Sequence, residues 1–283
     1  MFHNYLTMRR QLDIILSLLG IYFSIKADGS NVDYSGQQVW RVIPQSYEEV
    51  GALIEFGEKF QVYQWMDLVA SEYGFATKEQ FGVTFEGRPL YVLKFEKTSA
   101  KSKPTIFVDA LIHCREWITT ASLLYIFKEM LQNPRYAHMM DEVNWYFVPM
   151  INVDGYVETW IGDRLWRKSR STGPNYNCVG VDGNRNFDSH WSYDGASKDS
   201  CYGNYYGPTP ESESEIRHLV KYVIGQEKID AYVTTHSIGQ LILYPYGYTD
   251  VPCADDTVLS LHNCLSRNLT RLLIQRDILL RWE

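Results

Sequence analysis

Two almost uninterrupted apolar runs, Thr105-Ile106-Phe107-Val108-Asp109-Ala110-Leu111-Ile112 and Ile229-Asp230-Ala231-Tyr232-Val233-Thr234-Thr235, each lead into a histidine. A strand that is apolar along both of its faces is stable only with both faces covered, so these runs read as central strands of a helix-flanked sheet. The first ends in His113-Cys114-Arg115-Glu116 and the second in His236-Ser237. Two imidazoles and a carboxylate are the three-ligand set that a catalytic zinc uses, leaving a fourth position open. His113 and Glu116 lie three residues apart, so one local turn can aim both at a single ion. His236 would arrive from another strand end, where open α/β sheets build their sites. A His-x-x-Glu pair alone is common by chance, and a lone histidine after a strand is ordinarily structural. The rest of the chain gives the pattern its weight.

Strand patterns near Leu90–Lys94, Thr105–Ala110, Asn144–Pro149 and Ala231–Thr235 alternate with helical patterns near Gln64–Glu72, Thr119–Leu131 and Ser212–Ile224. That alternation predicts an α/β domain with helices covering a largely buried sheet. With 45% hydrophobic and 22% charged residues in 283, the chain can bury a sizeable core. Its net charge of −7 argues against non-specific nucleic-acid binding. Residues 169–176 and 188–210, rich in Gly, Ser, Asn and Tyr, read as long surface loops bordering a site.

Five ordered motifs carry a resemblance. They are Phe85-Glu86-Gly87-Arg88-Pro89-Leu90-Tyr91-Val92-Leu93-Lys94-Phe95, read as a strand pair, with the Ile112-to-Ser122 segment after it; Asn152-Val153-Asp154-Gly155-Tyr156; Asp163-Arg164-Leu165-Trp166-Arg167-Lys168; Cys178 through Asp188; and His236-Ser237 with Leu243-Tyr244-Pro245-Tyr246-Gly247-Tyr248. In that order, from about residue 61 to about residue 273, the chain resembles the zinc metallocarboxypeptidases of the A/B type. The resemblance implies a mixed, mostly parallel central sheet with helices on both faces, antiparallel toward one edge. It implies one zinc ion held by His113, Glu116 and His236.

Further roles follow from the same resemblance. Asn184 and Arg185 match the anchor for a substrate's free carboxylate, a task suited to the planar fork of a guanidinium. Arg167 matches the cation that steadies the oxyanion of the tetrahedral intermediate. Arg115 and Ser237 match residues lining the peptide's approach, and Asp182 a carboxylate that orients the first imidazole. Cys178 and Cys201 match a disulfide-bonded pair, which fits an oxidising compartment. Plainer readings stand beside these. Arg164 and Lys168 read as solvated charges, Asn184 as a turn residue after Gly183, and Cys114 as a packed thiol. Leu243 and Gly247 match positions near the side-chain pocket, while Cys253 and Cys264 have open pairing.

Departures from the family pattern set further expectations. The general-base glutamate and a mobile tyrosine lie C-terminal of the second histidine in the family and have no match here; Glu283 lacks the context. Ile238 stands where the family commonly has tyrosine. Val258, Leu261, Leu265, Leu269, Leu272 and Leu273 recur at helical spacing, and the resemblance ends after them, so the domain at 61–283 is read as lacking its C-terminal part. Met8-Arg9-Arg10, the apolar stretch Leu12–Ile25 and Lys26-Ala27 read as a secretory signal over 1–27, the alternative being a buried helix. Residues 28–60 resemble the remnant of an activation segment. The expectation is a secreted, monomeric zinc exopeptidase acting on peptides and proteins with a free C-terminus, engaging neither nucleic acid nor membrane. Without the glutamate it would be nearly inactive. The alternative is a non-catalytic protein that binds zinc or C-terminal peptides; a cytosolic relative acting on tubulin-like tails is disfavoured by the signal and the cysteine pair.

Overall fold

The computed structural model describes residues 61–173 and 177–237, together with positions 243, 248 and 251. The secretory and activation-like segments, Ile238, Gly247, Cys253, Cys264 and the Val258–Leu273 repeat lie outside the described residues. All elements below belong to the unit Pro44–Ser237.

In chain order these are α1 (Gln61–Glu72), β1 (Ala76–Val83), β2 (Pro89–Phe95), β3 (Thr105–Asp109), α2 (Trp117–Gln132), α3 (His138–Glu142), β4 (Asn144–Val148), α4 (Val153–Ile161), a 3₁₀ turn (Gly183–Arg185), α5 (Ser214–Ile224) and β5 (Ala231–Thr234). The strands form one sheet in the order β1-β2-β4-β3-β5. β4, β3 and β5 run parallel, while β2 joins β4 antiparallel and β1 joins β2 antiparallel. The sheet is therefore mixed, parallel on the β5 side and antiparallel toward β1, as the resemblance implied.

Side-chain alternation explains which helix covers which face. Val92, Phe107, Tyr146 and Val148 share a face and pack with Ile216, Leu219 and Tyr222 of α5. The residues between them point the other way. Phe127 of α2 stacks on Phe95 and Phe147 at 5.3 and 4.5 Å, and Trp65 of α1 meets Phe147 edge-on at 6.4 Å. Both faces are thus covered by helices. Fully burying one such side chain is worth about 1.5–3 kcal/mol, so the layers hold the strand ends in fixed register.

β3 is buried at all five positions, as its apolar run predicts. β5 is not: its residues are half-buried or exposed, and Tyr232 is 43% exposed. The reason is position, since β3 has a strand on each side and β5 has one among the described residues. The strand pair expected over Phe85–Phe95 exists but begins upstream. β1 ends at Val83, and Thr84–Arg88 forms the turn, with Gly87 at φ +83° where a side chain would be strained. At Gly82 a Cβ would lie 2.4 Å from the His218 ring, so the absence of a side chain lets α5 approach β1.

Candidate metal centre

The β3 backbone leaves the sheet at Ala110 and turns sharply, with Leu111 at φ +59°. Three bonds fix this turn against the strand-to-helix loop after β4: Ala110 N–H to Val148 O, Ile151 N–H to Ala110 O and Asn152 N–H to Leu111 O, at 3.0–3.1 Å. His113 follows, and Glu116 stands at the N-cap of α2. The Glu116 carboxylate does not cap its own helix. It turns instead to His113 Nδ1 at 3.0 Å and His236 Nδ1 at 3.2 Å, and accepts Ser237 N–H at 3.1 Å. His236 is delivered by the end of β5, where Thr235 N–H and its hydroxyl bond Asp109 O at 3.0 and 2.8 Å.

The two Nδ1 atoms lie 3.1 Å apart, and ligand atoms of His113, Glu116 and His236 all fall within 4.8 Å of one another. An ion with bonds of roughly 2.0–2.1 Å sets tetrahedral donors about 3.3 Å apart. Separations of 3.0–3.2 Å between two nitrogens and a carboxylate fit that ion closely. Two imidazole nitrogens facing each other and a carboxylate are a donor set that a proton serves poorly and a divalent cation serves well.

Asp182 lies behind His113 and is fully buried. One of its oxygens faces His113 Nε2 at 3.0 Å and accepts Asn184 N–H at 3.0 Å. The other takes two bonds from Arg167, Nη2 at 2.9 Å and Nε at 3.2 Å. Burial pushes this carboxyl upward, but the His113 and Arg167 partners outweigh it and hold it below the usual carboxylate range. Burial opposes a charge on His113, yet Asp182 and Glu116 raise its pKa. Glu116 is likewise carried down to about 2, against its own burial, by the two imidazoles and Ser237 N–H.

The structure therefore brings His113, Glu116, His236, Ser237, Asp182 and Arg167 into one bonded set, with Arg167 Nη1 3.9 Å from Glu116. Asn184 and Arg185 sit in the adjoining 3₁₀ turn. The Arg185 guanidinium meets carbonyls, Asn184 O at 2.9 Å and Gly195 O at 3.3 Å, and no carboxylate among the described residues. That leaves its charge available to an anion. Arg115 joins none of this set; its guanidinium lies 3.4 Å from Leu165 O. Cys178 and Cys201 form a disulfide with Cα atoms 4.9 Å apart.

One plainer reading needs correction. Lys168 is buried, not solvated, and donates to Ser200 O at 2.6 Å, tying the Arg167 segment to the disulfide loop. Arg164 is exposed, as expected, while its guanidinium stacks on Trp117 at 3.7 Å and donates to Arg115 O at 3.0 Å. Cys114 is a buried thiol, pushed up by burial, with Sγ 3.0 Å from Trp166 O. Sequence reasoning missed Asn152 as a structural partner of the site; its signal was an Asn directly before Val-Asp-Gly after a strand, the pattern of a helix cap.

These features define a candidate metal centre on a mixed α/β sheet. Residues 62–274 match the family model for zinc carboxypeptidases (Peptidase M14), and the chain belongs to that family, whose members are zinc-dependent. It is 40% identical over 214 residues to carboxypeptidase O of Bos taurus, covering 74% of this chain and 57% of that protein. It is 43% identical over 190 residues to carboxypeptidase B of Rattus norvegicus, covering 65% and 46%. The crystal structure of thrombin-activatable fibrinolysis inhibitor superposes with a TM-score of 0.70 at 34% identity, covering 78% of this chain and 56% of that one. The chain thus spans about half the length of the relatives it matches. Among the described residues no helix is long and apolar enough to cross a membrane.

Proposed function

We propose that this chain carries the centre of a zinc exopeptidase that hydrolyses the last peptide bond of peptides and proteins with a free C-terminus. The observation that carries the reading is the His113–Glu116–His236 cluster beside an Asp182-held Arg167. His113, Glu116 and His236 would hold one zinc ion, and Asp182 would fix the His113 tautomer and ring. When bound, zinc supplies a Lewis acid that polarises a carbonyl and acidifies water. Arg185 and Asn184 would take the terminal carboxylate and so register the scissile carbonyl against the metal. Arg167 would meet the oxyanion as it forms, already oriented by two bonds to Asp182. Arg115 and Ser237 would line the approach of the preceding residues. The side-chain preference at the C-terminus is left open.

A second reading, binding of zinc or C-terminal peptides without turnover, is favoured by one observation. Both oxygens of Glu116 and both of Asp182 are engaged, so neither is free to shuttle the proton from water to the leaving amine. A dedicated base typically contributes about 10²–10⁴-fold, so turnover by the described residues alone would be slow. Secretion as a monomer belongs to the same proposal. The basic-then-apolar N-terminal pattern and the Cys178–Cys201 disulfide support an oxidising compartment.

The test is mass spectrometry of a peptide with a free C-terminus and its amidated twin, each with zinc-loaded and chelated protein. Zinc-dependent loss of single residues from the free peptide alone supports the exopeptidase. Zinc-dependent binding without products supports the binder. Equal cleavage of both peptides would sink either reading.

A further inference from the structure

Arg167 sits on an irregular segment, and no helix or strand fixes it. The carbonyls on either side of it are nevertheless both held. Trp166 O meets Cys114 Sγ at 3.0 Å, and Lys168 O accepts from Asn152 Nδ2 at 2.9 Å. The same Asn152 amide nitrogen lies 3.3 Å from Ile112 O, the carbonyl directly before His113. Its oxygen accepts Gly155 N–H at 2.9 Å, capping α4, and its backbone N–H bonds Leu111 O at 3.0 Å. The side chain is 4% exposed, so solvent does not compete for these bonds. The packing admits little slack, since a Cβ on Gly155 would lie 2.6–2.8 Å from Asn152 and Cys114 side-chain atoms.

A helix cap needs only the oxygen. The amide nitrogen does something else: it ties the turn that carries His113 and Glu116 to the segment that carries Arg167. We infer that Asn152 is a positioning residue that sets the distance between the metal-binding turn and the Arg167 guanidinium, and so shapes the site for a tetrahedral anion rather than for a planar carbonyl. The inference rests on the function proposed above. It follows from catalytic geometry, in which a displacement of about 1 Å costs on the order of 10²-fold in transition-state stabilisation.

Asn152→Ser keeps a capping oxygen and, without adding charge, removes the amide nitrogen that reaches Ile112 O and Lys168 O, its hydroxyl sitting on a shorter side chain; Asn152→Asp keeps shape and cap and deletes the donor. Both are compared with the parent as the full, zinc-loaded chain, using two probes. One is a phosphonate peptide with a free terminal carboxylate, mimicking the tetrahedral state; the other is the corresponding peptide acid. Expected are retained zinc stoichiometry, peptide-acid affinity within about threefold, and phosphonate affinity reduced about tenfold or more. In an Arg167→Ala background the Asn152→Ser effect on the phosphonate should vanish, because the residue acts through Arg167. Equal weakening of both probes, no weakening, persistence of the effect without Arg167, or melting of both variants below the assay temperature would each overturn the inference. A parent chain that binds neither zinc nor phosphonate would instead remove the functional reading itself, a failure visible before any variant is made.

Discussion

His113 and His236 present their Nδ1 atoms to each other across 3.1 Å, yet their settings differ tenfold in exposure, 3% against 30% of the side chain. His113 stands on a turn sewn to β4 and α4, with a buried carboxylate on its second nitrogen. His236 follows β5, which has one strand neighbour among the described residues, and nothing there engages its second nitrogen. One half of the centre is preorganised by the core; the other is delivered to it by a less buried strand. Metal affinity should depend on both halves, but fold stability on one.

Substitution can break that comparison. His113→Ala should abolish stoichiometric zinc and also destabilise the protein by about 3 kcal/mol, because Asp182 is left buried without one of its partners. His236→Ala should lose zinc as completely while moving the melting temperature of the metal-free protein by no more than a degree or two. Parallel metal titration and thermal melts of the two variants decide it; equal destabilisation would show the two halves to be alike. Removing the disulfide with Cys178→Ser frees a 23-residue separation and should cost about 3 kcal/mol in denaturant titrations while leaving the zinc stoichiometry intact.

Asp182→Asn sharpens the account of the preorganised half. Losing the charge that orients His113 and Arg167 should weaken zinc binding about 10–100-fold, measured by competition with a chelator. An unchanged affinity would mean that Asp182 serves only the fold.

A smaller effect comes from the same buried region. Glu215 of α5 is buried, one oxygen accepts Phe85 N–H at 3.1 Å, and the other has no hydrogen-bond partner among the described residues. Burial raises its pKa from 4.5 to about 7, with Asp154 and Glu213 adding to the shift. The folded state then holds a proton that the unfolded chain has released, so stability is full below about pH 4.5 and falls as pH rises to about 7. Glu215→Gln, which cannot ionise, should flatten that fall and be more stable than the parent above pH 7 by on the order of 2 kcal/mol. Melting curves from pH 4 to 8 would contradict this if the variant and parent stayed parallel.

How much of this was readable in advance varies by residue. β3 was legible because five consecutive buried positions leave an unmistakable apolar run, and the ligand pattern at its end pointed to metal. β1 was not: Ala76-Thr-Lys-Glu-Gln-Phe-Gly-Val is largely polar, and among the described residues that strand has a partner on one side only. β5 was legible as a strand but not in its exposure, since an apolar run does not record how many neighbours a strand acquires. α4 went unread as a helix, its nine residues being short and interrupted by Gly155. The contacts that order the centre, His113 to Asp182 at a separation of 69 residues and Asn152 to Ile112 at 40, are properties of the sheet and loops together. Lys168 reads as a surface charge for the same reason, since its partner Ser200 O lies on a distant loop.

The proposed function rests on a single divalent ion held by His113, Glu116 and His236. Elemental analysis of the folded, dialysed protein tests it most directly, with Glu116→Ala alongside. One zinc per chain is expected in the parent and none in the variant. A folded parent without zinc, or a variant that retains it, would rule out these three residues as the ligands.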